Sequence, residues 1–165
     1  MKELLFHLSQ YNYWANTRLL ADLVGGLEDT LTDKPVPSSF PGLKKTVRHI
    51  WDAETIWLMR LEGSPSPSWP PNPVTGAGIR DLTDHALLQS EKLVSYVRDA
   101  SEELLGTRFD YRNTKGTVYT SSRASALLHC FNHSTFHRGQ VVTILRALDV
   151  TTIPSTDYIA FCRQS

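Results

Sequence analysis

Apolar residues recur at helical spacing through four long stretches of this chain, and runs of proline, glycine and serine separate them. In residues 2–24 the positions Leu4, Leu8, Ala15, Leu19 and Leu23 predict a first helix, which Gly25-Gly26 ends. Residues 26–40, with Pro35, Pro37 and Ser38-Ser39, read as a loop. Pro41 suits the first turn of a second helix over about 42–62, where Val47, Ile50, Ile56, Trp57 and Leu61 are the apolar positions. Residues 63–78, GSPSPSWPPNPVTGAG, read as a surface crossover, since neither flank has enough elements for a core of its own. A third helix follows over roughly 80–103, with Leu87, Val94 and Val97 facing inward. Alternating β-formers around Gly116 predict a short hairpin in 107–121. Ser122 can cap a fourth helix over about 123–148, and TDYIAFCRQ reads as a last helical turn or two. Four long helices make an all-α four-helix bundle with long connections the natural solution.

The 165 residues suit a single domain spanning 1–165, and the chain is long enough to bury a core without disulfides. Lys+Arg and Asp+Glu each total 17, so there is no basic excess to bind a nucleic acid and little pull toward an anionic membrane. No segment has the apolar run of a spanning helix or a signal peptide. Two cysteines far apart, Cys130 and Cys162, do not form a secreted disulfide framework, and the expected location is cytoplasmic, with reduced thiols.

The chemistry concentrates in HCFNHSTFHRGQ, residues 129–140. Histidines four apart in a helix differ by about 40° in direction, so two of them can aim at one ion, whereas a run of three drifts by about 80°. A pair plus a remote ligand is the natural geometry, and both His129 with His133 and His133 with His137 have that spacing. The helical zinc-protease motif is excluded, because Cys130 and Ser134 stand where its glutamate would follow the first histidine. A di-iron site is excluded because the fourth helix lacks the carboxylates it needs. A histidine-dominated mononuclear site suits zinc or nickel. Among the remote histidines, His85 lies on a solvated face with Asp81, Gln89 and Lys92, and His7 on a mixed one. His49 lies among Ile50, Ala53, Ile56 and Trp57 and must find a partner inside the bundle, which makes it the best third ligand. A histidine on such a face can equally be a core residue bonded to a neighbour.

YNYWANTRLL, LKKTVRHIWDAETIWLMRL, FNHSTFHRGQVVTILRAL and the closing IPSTDYIAFCR resemble the DinB (DNA-damage-inducible) proteins of the DinB/YfiT-like superfamily, over about residues 1–163. The resemblance implies an up-down-down-up four-helix bundle. It implies a divalent metal held by His49, in RHIWDAE, and by His133 and His137, the latter directly before Arg-Gly-Gln. It also implies a homodimer, and relatives that act as S-transferases on low-molecular-weight thiols such as bacillithiol, mycothiol or glutathione. The family name describes regulation, not contact with DNA.

Around that triad, His129 is expected in the pocket or behind the ligands, and Gln140 either to bond a ligand or a site water or to be a plain buried amide. Asp52 is either an orienting partner of an imidazole or a solvated helix charge. Cys130 is a soft alternative ligand or a packing residue, and Gly139 suggests close backbone packing. Tyr11, Tyr13 and Trp14 read as core, and Trp69 as a cover for the pocket or a dimer contact. The expected function is a divalent-metal-dependent thiol transferase with a small-molecule substrate. The alternative is a non-catalytic metal- or ligand-binding bundle of the stress response.

Overall fold

Two apolar clusters mark the two ends of the molecule, and together they fix how its long helices run. The structure, a computed structural model, describes residues 1–64, 71 and 76–164. Its elements in chain order are α1 (Lys2–Asn16), α2 (Asp29–Thr32), α3 (Leu43–Leu61), α4 (Ile79–Asp99), α5 (Glu102–Gly106), β1 (Arg108–Arg112), β2 (Val118–Ser122), α6 (Arg123–Ala147) and α7 (Tyr158–Cys162). One cluster joins Leu19, Leu20 and Val24 with the start of α3, the start of α4 and the end of α6 (Val141, Ile144, Leu145). The other joins Leu5 with Leu58 and Leu61 at the end of α3, Leu93 and Val97 near the end of α4, and Leu127 and Phe131 near the start of α6. So α1 and α6 run one way and α3 and α4 the other. This is the up-down-down-up bundle, in which α3 packs between α4 and α6.

The boundaries follow local chemistry. Ser122 caps α6 through its Oγ, which accepts the Ser125 amide at 3.1 Å. The predicted first helix keeps a helical path to Gly26 but not as one α-helix: a wide turn over Thr17–Ala21 closes with the Asp22 amide on the Thr17 carbonyl, and a tight turn covers Val24–Gly26. Gly25 is required there, since a Cβ would lie 2.7 Å from Thr83 Oγ1 on α4. Pro41 is not in the first turn of α3. Gly42, at φ 104°, precedes the helix, and its carbonyl accepts Thr46 Oγ1 at 3.0 Å. The predicted third helix breaks at Ala100, whose backbone is extended, because Ser101 caps a separate helix by accepting the Leu104 amide. The hairpin is present, with Asp110 opposite Thr120. The crossover over 63–78 and Trp69 fall largely outside the described residues.

Two inward-facing assignments shift by a residue. Leu4 is 58% exposed and Leu5 is buried in its place. On α4, Leu82, Ala86, Leu93 and Val97 are buried, whereas Leu87 and Val94 are only half-buried. In α1 the buried face continues through Ser9, Asn12 and Asn16, so its stripe is partly polar and misleads a search for apolar periodicity.

Candidate metal centre

The adjacent antiparallel helices α3 and α6 bring three imidazoles to one point. His49 Nε2 lies 3.1 Å from His133 Nε2, and His137 Nε2 lies 3.1 Å from the same atom. One nitrogen of each ring falls within 4.8 Å of the others, a group that can hold a metal ion. On α6 the pair four apart that joins His49 is His133 with His137. His129 is left out: its ring packs edge-on to Trp57, with centroids 4.9 Å apart, and sits one turn before His133.

The site keeps its imidazoles neutral, as metal ligation requires. Burial pushes His49 down to about 4, with His137 adding to the effect. Burial pushes His133 down to about 3, with His137, His49 and His129 around it. His137 is also lowered by burial, partly offset by its bond to Gln140. Nitrogen lone pairs facing each other at 3.1 Å repel unless a proton or cation lies among them. Tetrahedral zinc at about 2.0–2.1 Å from each nitrogen would set them about 3.3 Å apart. The donor set and its spacing therefore fit a late divalent ion.

Gln140, one turn on, fixes the tautomer of His137. Its Oε1 lies 2.8 Å from His137 Nδ1, and a carbonyl oxygen can only accept, so Nδ1 carries the proton and Nε2 the lone pair. Gln140 Nε2 in turn donates to Ser39 Oγ at 2.9 Å, tying the loop before α3 to α6. Removing such an outer partner typically costs about 10–100-fold in metal affinity. Gln140→Ala is therefore expected to weaken zinc binding about tenfold or more in a competition titration, while Gln140→Glu, which keeps the acceptor, retains most of it. The other rings are held by stacking: Phe40 lies on His49 with centroids 4.0 Å apart, and Phe136 meets His137 edge-on. His133 Nδ1 is buried without a hydrogen-bond partner among the described residues.

Beside His49 a cavity of about 740 Å³ is walled by Phe40, Lys44, Arg48, Asp52 and Leu82, a size suited to a small molecule. Asp52 is not a solvated charge. It is 5% exposed and accepts from Arg48 Nε at 2.9 Å. Cys130 lies outside the three-histidine group, 1% exposed in the apolar cluster of Leu5, Leu127 and Phe131, and burial drives its thiol well up. Gly139 does not serve close packing, because a Cβ there would meet nothing within 4 Å.

Behind the histidines lies a polar network that the sequence reading missed. Glu54 is fully buried and accepts from Asn12 Nδ2 (2.8 Å), Asn16 Nδ2 (3.2 Å), Ser134 Oγ (2.8 Å) and Ser90 Oγ (2.7 Å). Arg138, 2% exposed, donates through Nη1 to Asn12 Oδ1 and Asn16 Oδ1 and through Nη2 to Thr135 Oγ1, with Tyr11 against its guanidinium. Of the three α6 members, Ser134 and Arg138 each directly follow a histidine of the cluster, and Thr135 comes next to Ser134. The network thus fixes the rotation of α6 against α1 and α3, and with it the direction of both histidines.

Comparison with known proteins agrees with this architecture. Residues 1–164 match the profile of the DinB family. The protein named Protein DinB from Bacillus subtilis (strain 168) is 23% identical over 164 residues, covering 96% of this chain and 93% of the relative. A crystal structure of a DinB-like protein from Bacillus cereus ATCC 10987 superposes with a TM-score of 0.68 at 18% identity, over 88% of this chain and 91% of that one. A second DinB-like protein, from Bacillus subtilis, gives 0.54 at 16% identity, over 87% and 97%.

Proposed function

Because the chain belongs to the DinB family, we propose that it is a one-domain, divalent-metal-dependent enzyme whose ion is held by His49, His133 and His137. The observation that carries this is the convergence of three neutral imidazole nitrogens, with no carboxylate or thiolate joining them among the described residues. Zinc or nickel is the metal this donor set favours. Three protein ligands leave a coordination position open, as catalytic sites do and structural ones do not. The cavity beside His49 supplies room for a substrate.

The reaction we assign is transfer of a low-molecular-weight thiol to a small electrophile. When bound, such an ion favours the thiolate form of a coordinated thiol and so makes the nucleophile at neutral pH. The chain's own part is to hold the geometry: Gln140 keeps the His137 lone pair on Nε2, Phe40 fixes the plane of His49, and the buried network sets the rotation of α6. His129, exposed and packed on Trp57 one turn from His133, lies outside the group that would hold the ion. No helix among the described residues is long and apolar enough to cross a membrane. Two unpaired cysteines suit a reducing compartment, so we assign the protein to the cytoplasm, and the resemblance to DinB proteins leads us to assign a homodimer.

The test is elemental analysis of protein purified without a polyhistidine tag, followed by cobalt substitution. The expected result is near-stoichiometric metal per chain and a shift in the cobalt spectrum when a low-molecular-weight thiol is added. Protein that neither carries metal nor takes up zinc or nickel would overturn the proposal. Metal that binds while the cobalt spectrum ignores thiols would leave the non-catalytic metal-binding bundle in its place.

A further inference from the structure

Away from the histidine cluster, α7 lays its last turn on α1 and puts a cysteine against a histidine. Cys162 Sγ lies 3.7 Å from His7 Nε2, within sulfur hydrogen-bond reach. His7 is held in place by two rings of α7, edge-on to Tyr158 with centroids 5.7 Å apart and tilted against Phe161 at 5.0 Å. Desolvation pushes the Tyr158 phenol up, and the nearby Cys162 adds to it. The sulfur thus has one base held in place beside it, the pairing from which an activated nucleophile is built. It is half-buried, so a small reagent can reach it, whereas Cys130 is sealed in the core. Aromatic rings surround the pair: Tyr158 and Phe161 pack on His7, and Trp14 packs on Phe161. Aromatic rings favour a sulfur-bearing reagent over a small hydrated anion.

We propose that Cys162, with His7 as its base, is a thiol-exchange site that takes up half of a low-molecular-weight disulfide. His7 Nε2 accepts the proton of the Cys162 thiol. The sulfur then attacks one sulfur of the disulfide. The disulfide S–S bond breaks as the new S–S bond to Cys162 forms, and the second half leaves as a thiolate that takes the proton from His7. One thiol and one disulfide are consumed, and one mixed disulfide and one thiol are produced, so no further oxidant is needed. The modified residue would lie between α7 and α1, where Tyr11 bonds the Thr156 carbonyl and also faces Arg138. The site does not depend on the metal reading.

The experiment is exchange with a dipyridyl disulfide at neutral pH, read by thiopyridone absorbance, with mass spectrometry to locate the label. Cys162 in the folded protein is expected to react at least about tenfold faster than in the urea-unfolded chain, a modest share of what a positioned base can supply. Cys130 is expected to stay unlabelled, which reports an intact fold. His7→Phe, which keeps an aromatic ring in the packing, should remove the advantage. A folded-state rate at or below the unfolded rate would overturn the proposal without any variant. So would a His7→Phe protein that keeps Cys130 protected and still labels Cys162 at the original rate.

Discussion

His133→Ala is expected to cost more metal affinity than any other single change in this protein. His133 Nε2 is the atom common to both 3.1 Å contacts, so its loss leaves two imidazoles that no longer share a neighbour. The loss should exceed the about 100-fold that removal of an outer partner can cost, because a ligand itself is gone. His49→Ala and His137→Ala should fall in the same range. His129→Ala should bind as the unaltered protein does, since its ring packs on Trp57 outside the group. The measurement is zinc affinity by competition with a chelating dye, with circular dichroism to show that each variant folds. A His133→Ala protein with unchanged affinity would remove His133 from the ligand set, and the proposed function with it.

How this site could be read before the fold was known differs residue by residue. The four-residue spacing on α6 left two pairs open, and the apolar face of α3 pointed to His49 without reference to any relative. The place of Gln140 was legible too, because residue 140 returns to the histidine face one turn on, but its partner was not, and the structure gives that as the His137 ring. Phe40 was not legible. It belongs to the loop before α3, and only the fold brings it over His49. Asp52 stayed open between orienting partner and solvated charge; the signal that could have decided against solvation is Arg48, four residues earlier, with which it pairs.

The fold itself was legible wherever apolar periodicity or a cap spoke: the extents of α3 and α6, the hairpin, and the Ser122 cap. It was misread where buried positions are polar. Asn12, Asn16, Glu54, Ser90 and Arg138 occupy interior positions that an apolar stripe would normally fill, so α1 reads as if Leu4 faced inward. Ser101 with Glu102 and Glu103 is a capping signal that could have placed the break after α4, but the apolar pattern running past it hid the stop.

Arg138→Met is expected to be the most destabilising change outside the apolar core. The guanidinium is buried, and burial is the main force lowering its charge preference, with Tyr11 and Glu54 opposing it. Replacing it with an apolar side chain strips Asn12 and Asn16 of the donor to their carbonyl oxygens and leaves the Glu54 carboxylate without a nearby cation. The two charges meet through Asn12 and Asn16 rather than directly, and leaving one buried charge without the other costs about 3–5 kcal/mol, because it stays desolvated. Arg138→Lys should rescue little: a single ammonium cannot span Asn12, Asn16 and Thr135 as the planar fork does. Urea unfolding of Arg138→Met, Glu54→Gln and the double variant checks this. The double variant should lose less than the two single losses combined, by about 1–3 kcal/mol, since neutralising Glu54 removes the charge that Arg138 was compensating. Strict additivity would mean that the asparagines screen the two charges from each other, and that α6 owes its rotation to the neutral hydrogen bonds alone.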